Sequence, residues 1–393
     1  QQAKLRTHYL HYIDLPYRKL LGELVDLNQR RVEVQMTTAP PTMVMSEMAT
    51  PRQATVLKRG EYDQPGETVS PNVPHSLPPL PDDVPTNRLG LAQWLIEPNN
   101  PLTARVAVNR WWQMYFGTGI VETVEDFGSQ GTWPTHPELL DWLAIEFVAS
   151  DWNVKAMQKR IVMSATYRQS SHVTTALLHR DPKNQLLARG PRFRLPAEAI
   201  RDNALSVSGL LGQRLGGPSV RPYQPAGLWR DVSVSQSVTY KQDRGEDLYR
   251  RSIYTFWKRT CPPPSLSTFD APDRENCQIR RSRTNTPLQA LVLMNDPTYV
   301  EAARMLAERV MLEGGESGES KVNHAFRLVL ARRSRPAEQR AMLSLLEDAR
   351  TRFRSETEKA SALITIGDSE RNAKLDPVEL AAWTTVTSVL LCL

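Results

Sequence analysis

Apolar positions recur at helical spacing over most of the chain. Between residues 16 and 36, Leu20, Leu21, Leu24, Val25 and Leu27 are separated by charges, which predicts an amphipathic helix. Residues 1–38 read as the helical end of a preceding region. From Asn87 onward the same period predicts helices over 88–97, 101–115, 137–149, 154–168, 196–211, 287–294, 297–312, 321–332, 336–354 and 377–391. Several starts carry their own signal. Thr135-His136-Pro137-Glu138 and Thr286-Pro287-Leu288-Gln289 set a Thr three residues before Glu or Gln, and Asp376-Pro377-Val378-Glu379 does so with Asp. Two stretches break the period. Residues 39–86 hold ten of the 29 prolines and predict an extended, irregular strap, apolar enough to lie on the domain that follows. Residues 228–258 carry Val232, Val234, Val238, Tyr240, Tyr249, Ile253, Tyr254, Phe256 and Trp257, whose alternation and aromatic or β-branched content predict a small β element. Residues 356–374 read as a loop. The fold class is mainly α, with a multi-helix globular domain over 87–393.

Composition adds an ordinary globular balance, 40% hydrophobic and 23% charged, over 393 residues. It excludes a collagen, a disordered tail or a disulfide-dense miniprotein. The net charge of +6 is unevenly placed: residues 186–283 alone carry +8. The cations are 38 Arg against 11 Lys. Scarce Lys, interleaved acids and the lack of a basic helix argue against nucleic acid. Arg forks suit paired recognition of carboxylate or sulfate. There are three cysteines, Cys261, Cys277 and Cys392, with no C-x-x-C pair, which excludes zinc held by paired cysteines. Cys261 and Cys277 read as two unrelated thiols in preference to one disulfide. No stretch has the length and apolarity of a membrane span. The chain opens on Gln1 and stops inside the apolar run 389–393, so both ends read as cut from something longer and a missing leader carries no information.

Phosphate-loop, nucleophile-elbow and H-E-x-x-H motifs are absent. The densest polar run is 269–287. Its carboxylates Asp270, Asp273 and Glu275 are candidates for acid and base, with Arg274 orienting a substrate. Arg280, Arg283, Asn285 and Cys277, together with His136 and Asp126, are candidates for ligand contact. The competing reading is an internal Arg–Asp network that pins an irregular loop, and for His136 a structural role is preferred. Glu61 to Glu67 is a second acidic cluster without EF-hand spacing, so no metal site is expected. Six of nine tryptophans fall between 94 and 152; Trp94, Trp112 and Trp142 lie on apolar helix stripes and are expected in the core.

The motifs Asn87-Arg88-Leu89-Gly90-Leu91-Ala92, Asn100 to Arg110, Asp126-Phe127-Gly128, His136 to Ala144, Ser164 to Ser170, Arg201-Asp202-Asn203-Ala204-Leu205, Gly216 to Val220, the 269–287 run and Leu293-Met294-Asn295-Asp296-Pro297 go together. With them the chain, over about 40–393, resembles the planctomycete-specific domain of unknown function that follows a cytochrome-c-like haem domain and a second planctomycete-specific domain. The resemblance implies an exported protein, periplasmic or at the cell surface, often encoded beside a sulfatase-like partner. It supplies no catalytic residues. The haem motif is absent here, so no cofactor is expected on this stretch and haem would sit on a preceding domain.

Three functional readings follow. The leading one is a binding or scaffolding module for an anionic ligand, either a sulfated or acidic polysaccharide or an acidic partner protein. The others are a polysaccharide hydrolase using 270–275 and a docking surface for the haem domain. The deciding question is which of Arg189, Arg192, Arg194, Arg221, Arg230, Arg250 and Arg251 remain free for an outside anion.

Overall fold

The computed structural model describes residues 2–38, 42–50, 52–233 and 237–393. It divides into two compact units, Gln1–Glu97 and Pro98–Leu393.

In the first unit α1 (Gln2–His8) passes through one wide π turn into α2 (Leu15–Thr38). Leu20, Leu24 and Leu27 on α2 are exposed. The strap is not wholly irregular. β1 (Ala54–Leu57) and β2 (Pro65–Val69) pair antiparallel, with Ala54 opposite Val69 and Thr55 opposite Thr68. Pro65 opens its strand, a position that needs no ladder donor. The prolines on either side hid this hairpin. Ala39, Pro40 and Pro41, at the start of the expected strap, lie outside the described residues. In α3 (Arg88–Leu95) the Asn87 side chain caps the start by accepting from the Gly90 N–H at 3.1 Å. The buried Trp94 indole donates to the Pro78 carbonyl at 2.8 Å, fastening the strap over α3.

The second unit begins with α4 (Thr103–Phe116), α5 (Pro137–Ala149) and α6 (Val154–Met163). Val108, Trp112 and Phe116 pack against Leu140, Leu143 and Phe147, with Met157 and Ile161 closing the layer. Asn109, fully buried there, donates to the Val121 carbonyl and accepts its N–H, so its amide costs nothing unpaired. The cap of α5 is His136 and not Thr135, whose hydroxyl donates to the Ile120 carbonyl instead. Ser164 has extended backbone, ends α6 and caps α7 (Ala165–Arg168), which splits the helix expected over 154–168. Then come α8 (Thr175–Arg180), α9 (Ala197–Ser208), α10 (Leu228–Asp231), α11 (Pro264–Thr268) and α12 (Pro287–Asn295).

The largest core surrounds α13 (Pro297–Glu313). It is shared with α14 (Gly318–Leu330), α15 (Pro336–Ser355), α16 (Thr357–Ile364) and α17 (Pro377–Leu391). Leu306, Val310, Phe326, Phe353, Trp383 and Val386 meet there with almost no exposure. Helix α16 occupies half of the expected loop 356–374, because Ala360 and Ile364, one turn apart, are drawn into this core. Helix α9 joins α11 and α13 through Ala204, Leu266, Phe269 and Tyr299.

The expected β element over 228–258 is absent: among its described residues there are α10, two 3₁₀ turns (Gly245–Tyr249 and Ser252–Tyr254) and isolated bridges. Val234 lies outside the described residues. Two of its carbonyls, those of Leu248 and Arg250, are taken by an arginine of α9, while those of Tyr249 and Tyr254 accept single backbone N–H groups. Arg201, 3% exposed, donates to the carbonyls of Leu248 (2.6 Å) and Arg250 (2.9 Å) and to Ser252 Oγ (3.2 Å). Arg250, 1% exposed, donates to the carbonyls of Pro218 (2.8 Å) and Gly216 and stacks on Tyr254. Among the described residues no helix is long and apolar enough to cross a membrane.

One expected core residue is displaced. Trp142 is 48% exposed and lies beneath the Arg160 guanidinium at 5.4 Å. Trp383→Ala is therefore expected to cost about 3–5 kcal/mol in urea denaturation. Trp142→Ala should cost about 1 kcal/mol or less, because an exposed cation–π contact contributes little. Equal costs would contradict this placement of the two rings.

Candidate functional site

The 269–287 run is organised by Asp270. Its carboxylate accepts from Arg194, from the Thr284 N–H (2.8 Å) and from the Thr284 hydroxyl (2.9 Å). Arg194 also donates to the carbonyls of Thr284 and Phe269, and Gln289 ties Thr284 Oγ1 to the Thr268 carbonyl. Both partners of the Arg194–Asp270 pair are mostly withdrawn from solvent. The other residues of the run point elsewhere. Asp273 Oδ1 accepts from the Glu275 N–H, and its carbonyl accepts from the Trp257 indole. Arg274 covers the Trp257 ring at 4.5 Å, while Glu275 pairs with Arg259 at 3.2 Å. Cys277, Arg280 and Asn285 are exposed, and all three thiols of the chain are free. Asp126 folds back on the Gly128 N–H at 2.7 Å, and His136 Nδ1 lies 3.0 Å from the Thr135 hydroxyl. The structure does not bring these candidates to one place. Among the described residues no group of three or more His, Cys, Asp or Glu is placed to hold a metal ion.

Arg283 alone leaves the run for an open cavity of about 430 Å³. The wall is built from three distant segments, the third being Arg283 itself. One is the end of α4, where Phe116 leads into Gly117. Gly117 has φ +85°, and a Cβ there would meet the Phe193 ring at 3.0 Å. Arg283 stacks on that ring at 4.2 Å, at the C-terminal end of α4, where the helix dipole favours a cation. Burial, and then the neighbouring Arg194, push the Arg283 guanidinium below its ordinary range.

The second segment is the loop 181–190. Buried Asp181 accepts from the Gln185 and Leu186 N–H groups, both at 2.8 Å, and so turns the chain. Asn184 and Leu187 take left-handed backbone within that turn. Gly190 sits so close that a Cβ would meet the Gln169 carbonyl oxygen at 2.8 Å. Arg189, 9% exposed, donates through Nη2 to the carbonyls of Asp181 (2.8 Å) and Pro182 (3.0 Å). Its Nη1 is buried with no partner. Asn184 Nδ2 donates to the Arg189 carbonyl at 2.8 Å, and Asn184 Oδ1 is likewise buried and unpaired. Arg192, exposed at the rim, makes no ion pair with a described residue, whereas Lys183 at the rim pairs with Glu122 at 3.2 Å. Leu178 of α8 and Val173 add apolar wall. No carboxylate is among the residues lining this cavity.

Of the arginines in question, Arg194 and Arg250 are consumed internally. Arg251 faces Asp202 at 3.7 Å, Arg230 faces Asp231 at 3.9 Å, and Arg221 lies over Phe256. Arg192 remains, joined by Arg283, and Arg189 lines the same cavity with Nη2 spent on two carbonyls. Lys183, Asn184 and Phe193 were not singled out from sequence. The alternation Arg192-Phe193-Arg194 was the available signal, without any local cue that Gly117 would seat it.

The family model PSD1, a protein of unknown function (DUF1553), matches residues 87–346. The chain belongs to this family. The match spans α3 through most of α15 and includes every residue of the cavity. No curated protein and no solved structure matches the chain.

The Asp270 geometry makes a direct prediction. Asp270→Asn should cost about 2 kcal/mol, the scale of a hydrogen-bonded charge left unpaired. Trypsin cleavage at Arg274, Arg280 and Arg281 should accelerate with it. Unchanged proteolysis would contradict the pinning role.

Proposed function

We propose that the chain is a binding module for an anionic ligand, taken up in the cavity of Arg189, Arg192 and Arg283. The observation that carries this reading is the convergence of cationic side chains on one cavity with no carboxylate in its lining. A cleft lined by one sign of charge concentrates the opposite sign and speeds its capture. Arg forks, those of Arg192 and Arg283 without a carboxylate partner among the described residues, fit carboxylate or sulfate oxygens. The volume falls in the range of small-molecule sites, and the apolar walls suit the carbon face of a sugar. The ligand is accordingly a sulfated or carboxylated saccharide, presented by a polysaccharide. In this reading the module acts in an exported protein, beside a haem-carrying domain of the same full-length protein.

The hydrolase reading has less support. Asp270 is spent on Arg194 and Thr284, and neither Asp273 nor Glu275 lines the cavity. An activity screened on polysaccharides and lost on single substitution of Asp273 or Glu275 would restore it.

Titration with dextran sulfate is the test. Binding is expected at low salt and should weaken as salt rises. Arg192→Ala and Arg283→Ala should each weaken it about tenfold, equal to about 1.4 kcal/mol. Exposed Arg230→Ala, away from the cavity, should leave it within twofold. No binding at low salt, or equal losses for all three variants, would overturn the reading.

A further inference from the structure

The strap carries a set of soft donors that neither the core nor the anion cavity uses. Three of the chain's 11 methionines fall within six residues, Met43-Val44-Met45-Ser46-Glu47-Met48. Methionine ordinarily fills cores, and in water it forgoes the gain of burial. Yet Met43 is 99% exposed, Met45 82% and Met48 67%. The exposure does not belong to a segment hanging loose. Arg88, the first residue of α3, donates to the Ser46 carbonyl and to Glu47 Oε1, both at 2.9 Å. The backbone is fastened between the methionines while their side chains stand in solvent.

The spacing alone keeps the three sulfurs within reach of one ion. Even in fully extended chain, Met43 and Met45 are at most about 7 Å apart at Cα, and Met45 and Met48 at most about 11 Å. Each side chain is unbranched and carries its sulfur on freely turning bonds. Residues 42–48 form neither helix nor strand, so no ladder resists the slight bend that brings Met48 in.

We propose that Met43, Met45 and Met48 bind a soft monovalent cation, Cu(I). Thioether sulfur is neutral and polarizable, and it selects Cu(I) over the hard cations that carboxylates hold. The one carboxylate within the run, Glu47, is paired with Arg88. A thioether has no proton to lose, so the site stays competent in acid, where imidazoles and thiols are protonated. All three sulfurs are open to solvent, which suits rapid exchange of the ion with another soft-donor partner more than permanent storage. This site is independent of the anion-binding reading.

The test is [methyl-13C]methionine NMR of the full chain carrying Cys261→Ser, Cys277→Ser and Cys392→Ser, so that thiolates do not compete; none of the three thiols is buried. Cu(I), kept reduced by ascorbate in the absence of oxygen, is added at pH 7 and at pH 5. The methyl signals of Met43, Met45 and Met48, assigned through single Leu variants, should shift together and saturate at one equivalent at both pH values. Met114, Met163 and Met294 are exposed but solitary and should not move, and the signal of buried Met157 reports an intact fold. Met45→Leu, which keeps the bulk, should weaken binding at least tenfold. If the Ser variant does not fold, the natural chain alkylated with iodoacetamide gives the same readout. No shift at one equivalent, or equal shifts at the solitary methionines, would overturn the proposal. Binding at pH 7 that is lost at pH 5 would move the ion to imidazole and overturn it as well.

Discussion

The second unit depends on buried guanidiniums that take backbone carbonyls. Between α9 and α12 the chain runs for many residues with little regular structure, and such a segment has no ladder in which to spend its C=O groups. Each carbonyl withdrawn from water needs a donor. Arg201, rooted in α9, supplies Leu248 and Arg250, and Arg250 supplies Pro218 and Gly216. One guanidinium offers five N–H donors in a rigid fork, so two side chains bind four carbonyls of two irregular segments, 216–218 and 248–250, to the helical frame. Burial pulls Arg201 below the ordinary guanidinium range, and Tyr299, Asp202 and Asp296 act against that shift. Lysine has a single nitrogen and a more strongly hydrated charge, and would not replace it.

This accounting explains why the central quarter of the chain is basic and why its cations are arginines. Much of the excess charge is a construction material. Arg194 holds the 270–286 loop through Asp270, as Arg201 and Arg250 hold the stretch before it. What remains is small and localised. Arg192 and Arg283 have no carboxylate partner among the described residues, and Arg189 is half used. These three face one cavity. In the proposed reading, the binding surface is the part of the basic segment that the fold does not consume.

The helical frame was legible in the sequence because its signals are local. Pro137, Pro287, Pro297 and Pro377 each stand at a helix start, and the α13 and α17 stripes match the core they enter. The failures have a common cause in long-range contacts. Tyr249, Tyr254 and Phe256 alternate like a strand, yet they pack on Glu301, Arg250 and Arg221. Trp142 was expected in the core with the apolar stripe of α5, yet its ring lies half-exposed beneath Arg160 of α6 while Leu140, Leu143 and Phe147 enter the core. The polar run 269–287 stands out in the sequence by its density of charged side chains, but only tertiary structure separates Asp270, which pins it, from Arg283, which leaves it. The cavity drew on residues 116, 184, 189 and 283, too far apart for any spacing rule.

The division of arginines into staples and free cations is most directly measured by phenylglyoxal modification of the native chain, read residue by residue by mass spectrometry. Arg192 and Arg283 should react quickly and be protected by a bound anion, while Arg201 and Arg250 should react only on unfolding. Rapid native-state modification of Arg201 or Arg250, at the rate of Arg192, would contradict the account.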